Sequence, residues 1–329
     1  MTISYVPIKT TEGGAMVSQQ VPELSLKAYT HGSEQEKITF TDALFTGLKE
    51  FGFVILRDHP VEIPLLRKAY ELSEQLFNLP NAIKDSYTGP TGGGERGYTP
   101  FGREHAKNNK FPDLKEFWHV GRELPREHNL SSYFAPNIWP NDLPEFNHVF
   151  HSLFQALDDT GRIMLQALTI PLDVDKDYFT RMTDTGSSIL RLLHYPPLMK
   201  GTDPNCIRAA AHEDINLITL LVSASSSGLE LLDRNGEWLA IETSPDNIIV
   251  DSGDMLARLT NEIIPATTHR VVNPKGPNRS RYSMPFFMHP NPDAVLSCLR
   301  SCEGSGRRYP DIPAHDFLME RLRDIGLKN

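Results

Sequence analysis

Apolar residues recur at helical spacing in the first half of the chain and at strand spacing in the second. In ITFTDALFTGLKEFGFVILRDHP (residues 38–60), Ala43, Leu44, Leu48 and Phe51 fall on one helical face. Thr41 is placed to cap that helix, and GFVILRD follows as a short apolar strand. VEIPLLRKAYELSEQLFNLP (61–80) predicts a second amphipathic helix, stopped at Leu79-Pro80. Residues 143–170 predict a third, with a stripe through Phe146, Phe150, Leu153, Phe154, Leu157, Met164 and Leu168. From Ser187 onward short runs follow one another: SILRLLHY, NLITLLVS, LELLD, WLAI, NIIV, DMLARL, THRVV and RYSMPFFMH. Glycine, proline, asparagine or aspartate separates most of them, which predicts many short strands closing into a sandwich, barrel or jelly roll. AHDFLMERLRDIG reads as a closing helix.

The expected fold is therefore α+β, mainly β with flanking helices. A loose polar segment spans 1–20, a helix-rich region spans 21–180, and a jelly-roll core (a double-stranded β-helix) with a C-terminal helix spans 181–329. We expect these to form one integrated unit. Residues 88–112, TGPTGGGERGYTPFGREHAKNNKFP, keep no periodicity and read as a long loop. Long loops in compact domains often act as lids, and the glycines at 92–94 would allow such movement.

Composition narrows the function classes. The chain has 329 residues, 39% hydrophobic residues and a formal net charge of -9, with a mean hydropathy of -0.35. That balance argues against a general nucleic-acid or anionic-membrane binder, since both need a cationic footprint. No run approaches the ~20 apolar residues of a membrane span. MTISYVPIKTTEGGAMVSQQ lacks the cationic and apolar segments of a secretory leader. The three cysteines, Cys206, Cys298 and Cys302, form no C-x-x-C pattern and read as single thiols. A cytoplasmic protein is expected, with no nucleic acid, membrane or protein partner.

The chemistry starts at AAHEDINLITLL (210–221). A lone H-x-D arises by chance about once in a chain of this composition, so it needs context. On a strand, residues two apart share a face, which would aim His212 and Asp214 at one point and Glu213 away from it. His269, in THRVV, offers a third ligand from another strand-like run. Two histidines and one carboxylate on one side of a metal leave open positions, the arrangement of non-haem Fe(II) oxygenases; structural zinc prefers a closed, cysteine-containing set.

HEDINLITLL, THRVV and RYSMPFFMHP together resemble the isopenicillin N synthase-like branch of Fe(II)/2-oxoglutarate-dependent oxygenases. VPELSL, FGFVILRDHP and LFNLP are similar to the N-terminal region of that family. LRLLHYPP, GLELLDRNGEWLAI and VDSGDMLARLTN are similar to its jelly-roll core. The resemblance implies Fe(II) held by His212, Asp214 and His269. It also implies 2-oxoglutarate held through its distal carboxylate by Arg281 and Ser283, an Arg-x-Ser pair, with help from Tyr195. A guanidinium fork and a hydroxyl suit a carboxylate. With O2, and with ascorbate as a stimulant, such an enzyme oxidises a small metabolite by hydroxylation, desaturation or ring formation, releasing succinate and CO2. Two alternatives stay open on the residues alone: an Fe(II)/O2 oxidase that uses no 2-oxoglutarate, and a non-catalytic binder on the same fold. The chain departs from the family pattern at Leu193, where many plant members have asparagine. It departs again at Glu213, between the ligands, and at Asp251, in place of a common asparagine. For the substrate, Arg96, Tyr98, Phe101 and Arg103 in the long loop, with Phe117, Trp118 and His119 beyond it, are the expected contacts.

Overall fold

Two β-sheets face one another, and the alternation of side chains along their strands decides what each face meets. The computed structural model describes residues 4–5, 21–89, 95–103, 111–203, 205–222 and 224–324. The chain runs through β1 (Ser4–Tyr5), β2 (Pro22–Ser25), α1 (Leu26–His31), α2 (Glu34–Phe51), β3 (Phe53–Arg57), α3 (Ile63–Phe77), α4 (Asn81–Ser86), β4 (Gly97–Thr99) and β5 (Glu116–Gly121). Next come α5 (Phe146–Ala167), α6 (Tyr178–Thr183), β6 (Ile189–Tyr195), β7 (Ala209–His212), β8 (Ile218–Val222), β9 (Leu229–Leu232), β10 (Trp238–Ala240) and β11 (Ile248–Ser252). α7 (Asp254–Leu259), β12 (His269–Val271), β13 (Arg281–Met288), β14 (Val295–Leu296), β15 (Ile312–Pro313) and α8 (Ala314–Asp324) complete it.

The larger sheet has nine strands in the order β1-β2-β3-β11-β8-β13-β6-β5-β4, and the smaller has four, β10-β9-β12-β7. Among the described residues every pairing is antiparallel except β2 with β3. Period-two alternation divides the larger sheet cleanly. Val54, Leu56, Trp118, Val120, Leu190, Leu192, Leu220, Val250, Tyr282, Met284 and Phe286 join the helix-side core with α2, α3 and α5. Phe53, Ile55, Phe117, Leu193, Tyr195, Leu221 and Ile249 face the other way, toward Ala209, Leu229, Leu231, Leu239 and Val271 of the smaller sheet. This is the expected jelly-roll core with helices on one side.

Local sequence explains the elements and corrects two boundaries. α2 begins at Glu34, not near Thr41, because Ser33 and Glu36 form a reciprocal capping box. Its polar first turn carries no apolar stripe, so the periodicity starts late, and Thr41 lies buried mid-helix. Gly52 ends the helix at φ 67°, a left-handed conformation that suits glycine, and its N–H donates to Leu48 O at 2.8 Å. DMLARL, read as a strand, is the helix α7. Met255, Leu256, Ala257 and Leu259 are all buried there, and a short run buried on every side carries no period to separate helix from strand. The 88–112 stretch is not wholly irregular, since β4 pairs with β5. Its glycines at 92–94 lie outside the described residues. Among the described residues no helix is long and apolar enough to cross a membrane.

Candidate active site

β7 and β12 pair with His212 opposite His269, which sets the two imidazoles side by side with ring centres 4.4 Å apart. β7 ends at His212, so Asp214 lies just beyond the strand, yet it still converges. His212 Nε2 is 3.8 Å and His269 Nε2 is 3.9 Å from Asp214 Oδ1. The three ligating atoms lie within 4.8 Å of one another. Bonds of about 2.0–2.2 Å from N or O to a first-row metal would be reached with a movement of under about 1 Å. Both histidines direct Nδ1 at a backbone carbonyl two residues back, His212 to Ala210 at 2.8 Å and His269 to Thr267 at 3.1 Å. These bonds fix the tautomer and leave each Nε2 lone pair aimed at the centre. His212 remains about a third open on its cavity side (37%). Burial of the rest, and then the nearby His269, push its pKa down to about 4, so it offers a neutral ligand.

Asp214 is held from behind. Thr219 Oγ1 donates to its Oδ2, and Asn216 Nδ2 donates to Thr219 Oγ1 at 2.8 Å. Asp251 lies in the same buried cluster. Burial, and then the charge of Asp214, push its carboxyl well above the usual range. The turn after Asp214 is tied to α7, whose Asp254 N–H donates to Asp214 O at 2.8 Å. Gly253 passes so close to the carbonyls of Asn216 and Asp214 that any side chain there would collide with them.

Arg281 and Ser283 sit on the sheet face opposite Tyr282 and Met284, hence toward the interior. Arg281 pairs across the strands with Tyr195, and Ser283 with Leu193. The guanidinium is fully buried at 1% exposure. It donates to Ser283 Oγ at 3.2 Å and to Ser226 O at 3.1 Å, and stands 5.1 Å from the Tyr195 ring centre. Burial pulls its pKa down, while Tyr195 and Tyr70 pull it back up.

A cavity of about 530 Å³ opens at the triad. Its wall includes His212, Asp214, Arg191, His289, Phe287 and, from α8, Leu318 and Met319. Arg281, Ser283 and Tyr195 are not on that wall. α8 is anchored by Arg321, which holds Asp254 of α7 at 2.6 Å.

Comparison with known proteins decides what this arrangement belongs to. Residues 21–142 match the family described as the non-haem dioxygenase in morphine synthesis N-terminal region, and residues 186–290 match the 2OG-Fe(II) oxygenase superfamily. A 2-oxoglutarate-Fe(II) type oxidoreductase of Aspergillus fumigatus is 30% identical over 315 residues, 93% of each chain. The chain belongs to the 2OG-Fe(II) oxygenase superfamily. Within it the isopenicillin N synthase-like branch fits both matched regions. A family member from Caulobacter crescentus, solved by crystallography, is 40% identical with a TM-score of 0.83, over 92% of this chain and 98% of its own. A full-length Neurospora crassa protein, solved in complex with alpha-KG, is 29% identical with a TM-score of 0.83, over 92% and 96%. As a member of this superfamily the protein is an Fe(II)- and 2-oxoglutarate-dependent dioxygenase that oxidises a small-molecule substrate with O2.

The residues expected to meet the substrate scatter. Arg96, 8% exposed, and His119 lie on the cavity wall, and Phe117 does not. Tyr98 and Trp118 require correction. Both alternate onto the helix side of the sheet. Tyr98 donates to buried Glu116 there, and Trp118 packs against Tyr87 and Phe146. Neither reaches the cavity. Phe101 is 43% exposed and Arg103 is exposed, and neither is on the wall. Sequence reading missed Arg191, whose guanidinium lies 4.4 Å from the ring centre of Phe117 and 5.3 Å from that of Phe287. Its signal was present: Arg191 shares strand parity with Leu193 and Tyr195. Thr219 was missed too, although it shares strand parity with Leu221. Glu213, expected to point away, accepts from Thr268 Oγ1 at 3.0 Å at the cavity edge.

Proposed function

We propose that His212, Asp214 and His269 hold the Fe(II), and that Arg281, with Ser283 and Tyr195, takes the distal carboxylate of 2-oxoglutarate. The observation that carries this reading is the convergence of two tautomer-fixed imidazoles and one carboxylate, with a buried guanidinium on the inner face of the larger sheet. The donor set, two neutral nitrogens and one carboxylate oxygen, fits a divalent first-row metal. When bound, that metal supplies the coordination and electrons needed to activate O2 against a C–H bond. The protein's own contribution is placement. Arg281 and Ser283 offer N–H and O–H donors where water is excluded, so each bond counts for more than it would in solvent. Tyr195 offers a further hydroxyl on the same face.

The primary substrate enters from the cavity side, between His212 and Asp214 and the wall of Phe287, Arg191, His289 and α8. A volume of about 530 Å³ fits a molecule of one or two rings. The same Neurospora protein has also been solved with thymine, at 28% identity and a TM-score of 0.82. We therefore place small oxygenated heterocycles first among substrates to try. We place the protein in the cytoplasm with its three thiols free, acting without a protein partner and with ascorbate as a stimulant.

The test is titration of the anaerobic Fe(II) protein with 2-oxoglutarate, followed by visible charge-transfer absorption. A small-heterocycle panel is then screened by succinate release. Saturable binding that is lost with His269→Ala is expected. Stoichiometric iron binding with no response to 2-oxoglutarate would overturn the assignment of Arg281.

A further inference from the structure

Next to Arg281 the interior holds a second guanidinium that the Arg-x-Ser pair does not account for. Arg208 immediately precedes β7 and is 2% exposed, one of the largest fully buried side chains. Its Nη2 donates to Arg279 O at 2.6 Å, two residues before Arg281. Its Nε is buried and has no hydrogen-bond partner. Its guanidinium carbon lies 6.0 Å from the Tyr195 ring centre, and that of Arg281 lies 5.1 Å from the same centre. Among the described residues neither arginine has a carboxylate within ion-pair distance.

A buried charge is expensive unless it is paired, and two buried like charges sharing one tyrosine are more so. Burial, and then the charge of Arg281, pull the pKa of Arg208 down. A fold tolerates this when the function needs an anion there. We infer that Arg208 is a second cation of the 2-oxoglutarate pocket, a positioning residue that holds Tyr195 and adds its field to the distal carboxylate taken by Arg281. The inference rests on the site reading above. Its consequence is selectivity: the pocket favours a 2-oxo acid with an ionised far end more strongly than one arginine would.

The test compares 2-oxoglutarate with 2-oxopentanoate, which keeps the 2-oxo acid but ends in a methyl group. Dissociation constants are measured on the anaerobic Fe(II) protein for wild type, Arg208→Gln and Arg208→Lys. Glutamine can still donate to Arg279 O but has no charge. The loss of one nearby buried charge is expected to weaken 2-oxoglutarate by about tenfold in Arg208→Gln, with 2-oxopentanoate changed by no more than about twofold. Arg208→Lys keeps the charge and is expected to stay within about threefold of wild type for both acids. Equal weakening of both acids in Arg208→Gln, or as large a loss in the lysine variant, would mark a shape role and overturn the inference. So would wild-type affinity for 2-oxoglutarate in Arg208→Gln. If Arg208→Gln does not fold, Arg208→Lys decides: selective loss of 2-oxoglutarate there beyond threefold overturns it, and retention supports it. Wild type that fails to bind 2-oxoglutarate sinks the site reading and this inference together. Wild type that binds it, alongside an unaffected Arg208→Gln, sinks the inference alone.

Discussion

Thr219→Val is the sharpest probe of the metal site, because it removes one hydroxyl and leaves all three proposed ligands in place. That hydroxyl is the donor to Asp214 Oδ2, the oxygen that does not face the histidines. Without it a carboxylate 8% exposed keeps one lone-pair set unsatisfied. A hydrogen bond to a charged group is worth roughly 1.5–3 kcal/mol, about one to two decades in a binding constant. Outer partners of metal ligands independently show losses of about 10–100-fold on mutation. Both routes predict that Fe(II) binds about 10–100-fold more weakly. Asn216 Nδ2 also loses its acceptor, so the metal-free protein should lose about 1–3 kcal/mol of stability, read separately by urea denaturation. The assay is anaerobic titration with Fe(II), or with Co(II) as a coloured substitute. Asp251→Asn is the control. The carboxyl of Asp251 is pushed well above the usual range, and a neutral amide preserves size and donor capacity, so iron affinity should stay within about threefold. If Thr219→Val binds metal as tightly as wild type, Asp214 is not oriented through Thr219.

Three further outcomes are expected. His269→Ala should retain the fold but lose stoichiometric Fe(II) and turnover, since one of three ligands is gone; an active, iron-loaded variant would remove His269 from the set. Arg281→Ala should weaken 2-oxoglutarate by about tenfold to a few hundredfold in the anaerobic titration, with Arg281→Lys between, because lysine keeps the charge and loses the fork. Glu116→Ala should cost about 3–5 kcal/mol in urea denaturation, since it strands Lys84, held at 2.7 Å, and His194, held at 2.7 Å. Burial raises the Glu116 carboxyl, but bonds from His194, Lys84 and Tyr98 outweigh it and set it below the usual value. Its stabilisation is therefore present above the ordinary glutamate pKa of about 4.3 and fades as pH falls below it, so wild type and variant should converge in acid.

The helices were legible because their apolar stripes are long: every member of the Phe146–Leu168 stripe is buried. The strands were legible as runs, and for β6, β8, β11 and β13 the alternation also shows which residues face the cleft. In β5 the expected contacts Phe117, Trp118 and His119 form one consecutive run, whose two faces the sequence reading does not separate. Phe117 and His119 take the interior parity, whereas Trp118, the more conspicuous aromatic, falls on the helix side. The same applies to Arg191, whose parity with Tyr195 places it inside. DMLARL could not be read, because burial on all sides erases the period. The cavity wall supplied by α8 could not be read either, since Leu318 and Met319 look like any amphipathic helix until its docking is known. Thr219 shows only its strand parity with Leu221, and Arg208 has no local sequence mark. Their roles come from what lies across the sheets, and a residue pattern does not contain that.

The charge layout bears on which co-substrate the proposed site would favour. Two neutral imidazoles and one carboxylate around a divalent ion would leave one net positive charge at the triad. Arg281 and Arg208 put two more at the Tyr195 end, with no carboxylate among the described residues to answer them. On the inner face Leu193 lies directly opposite Ser283 across the strands. Positive charge at both ends suits a dianion with a carboxylate at each end. A monoanion would leave one end uncompensated. Leu193 fits this layout: a leucine adds no competing dipole beside Ser283, so the proposed arginines would set the preference. The cavity lined by His212, Arg191, Phe287 and α8 would then take a substrate chosen by a different wall.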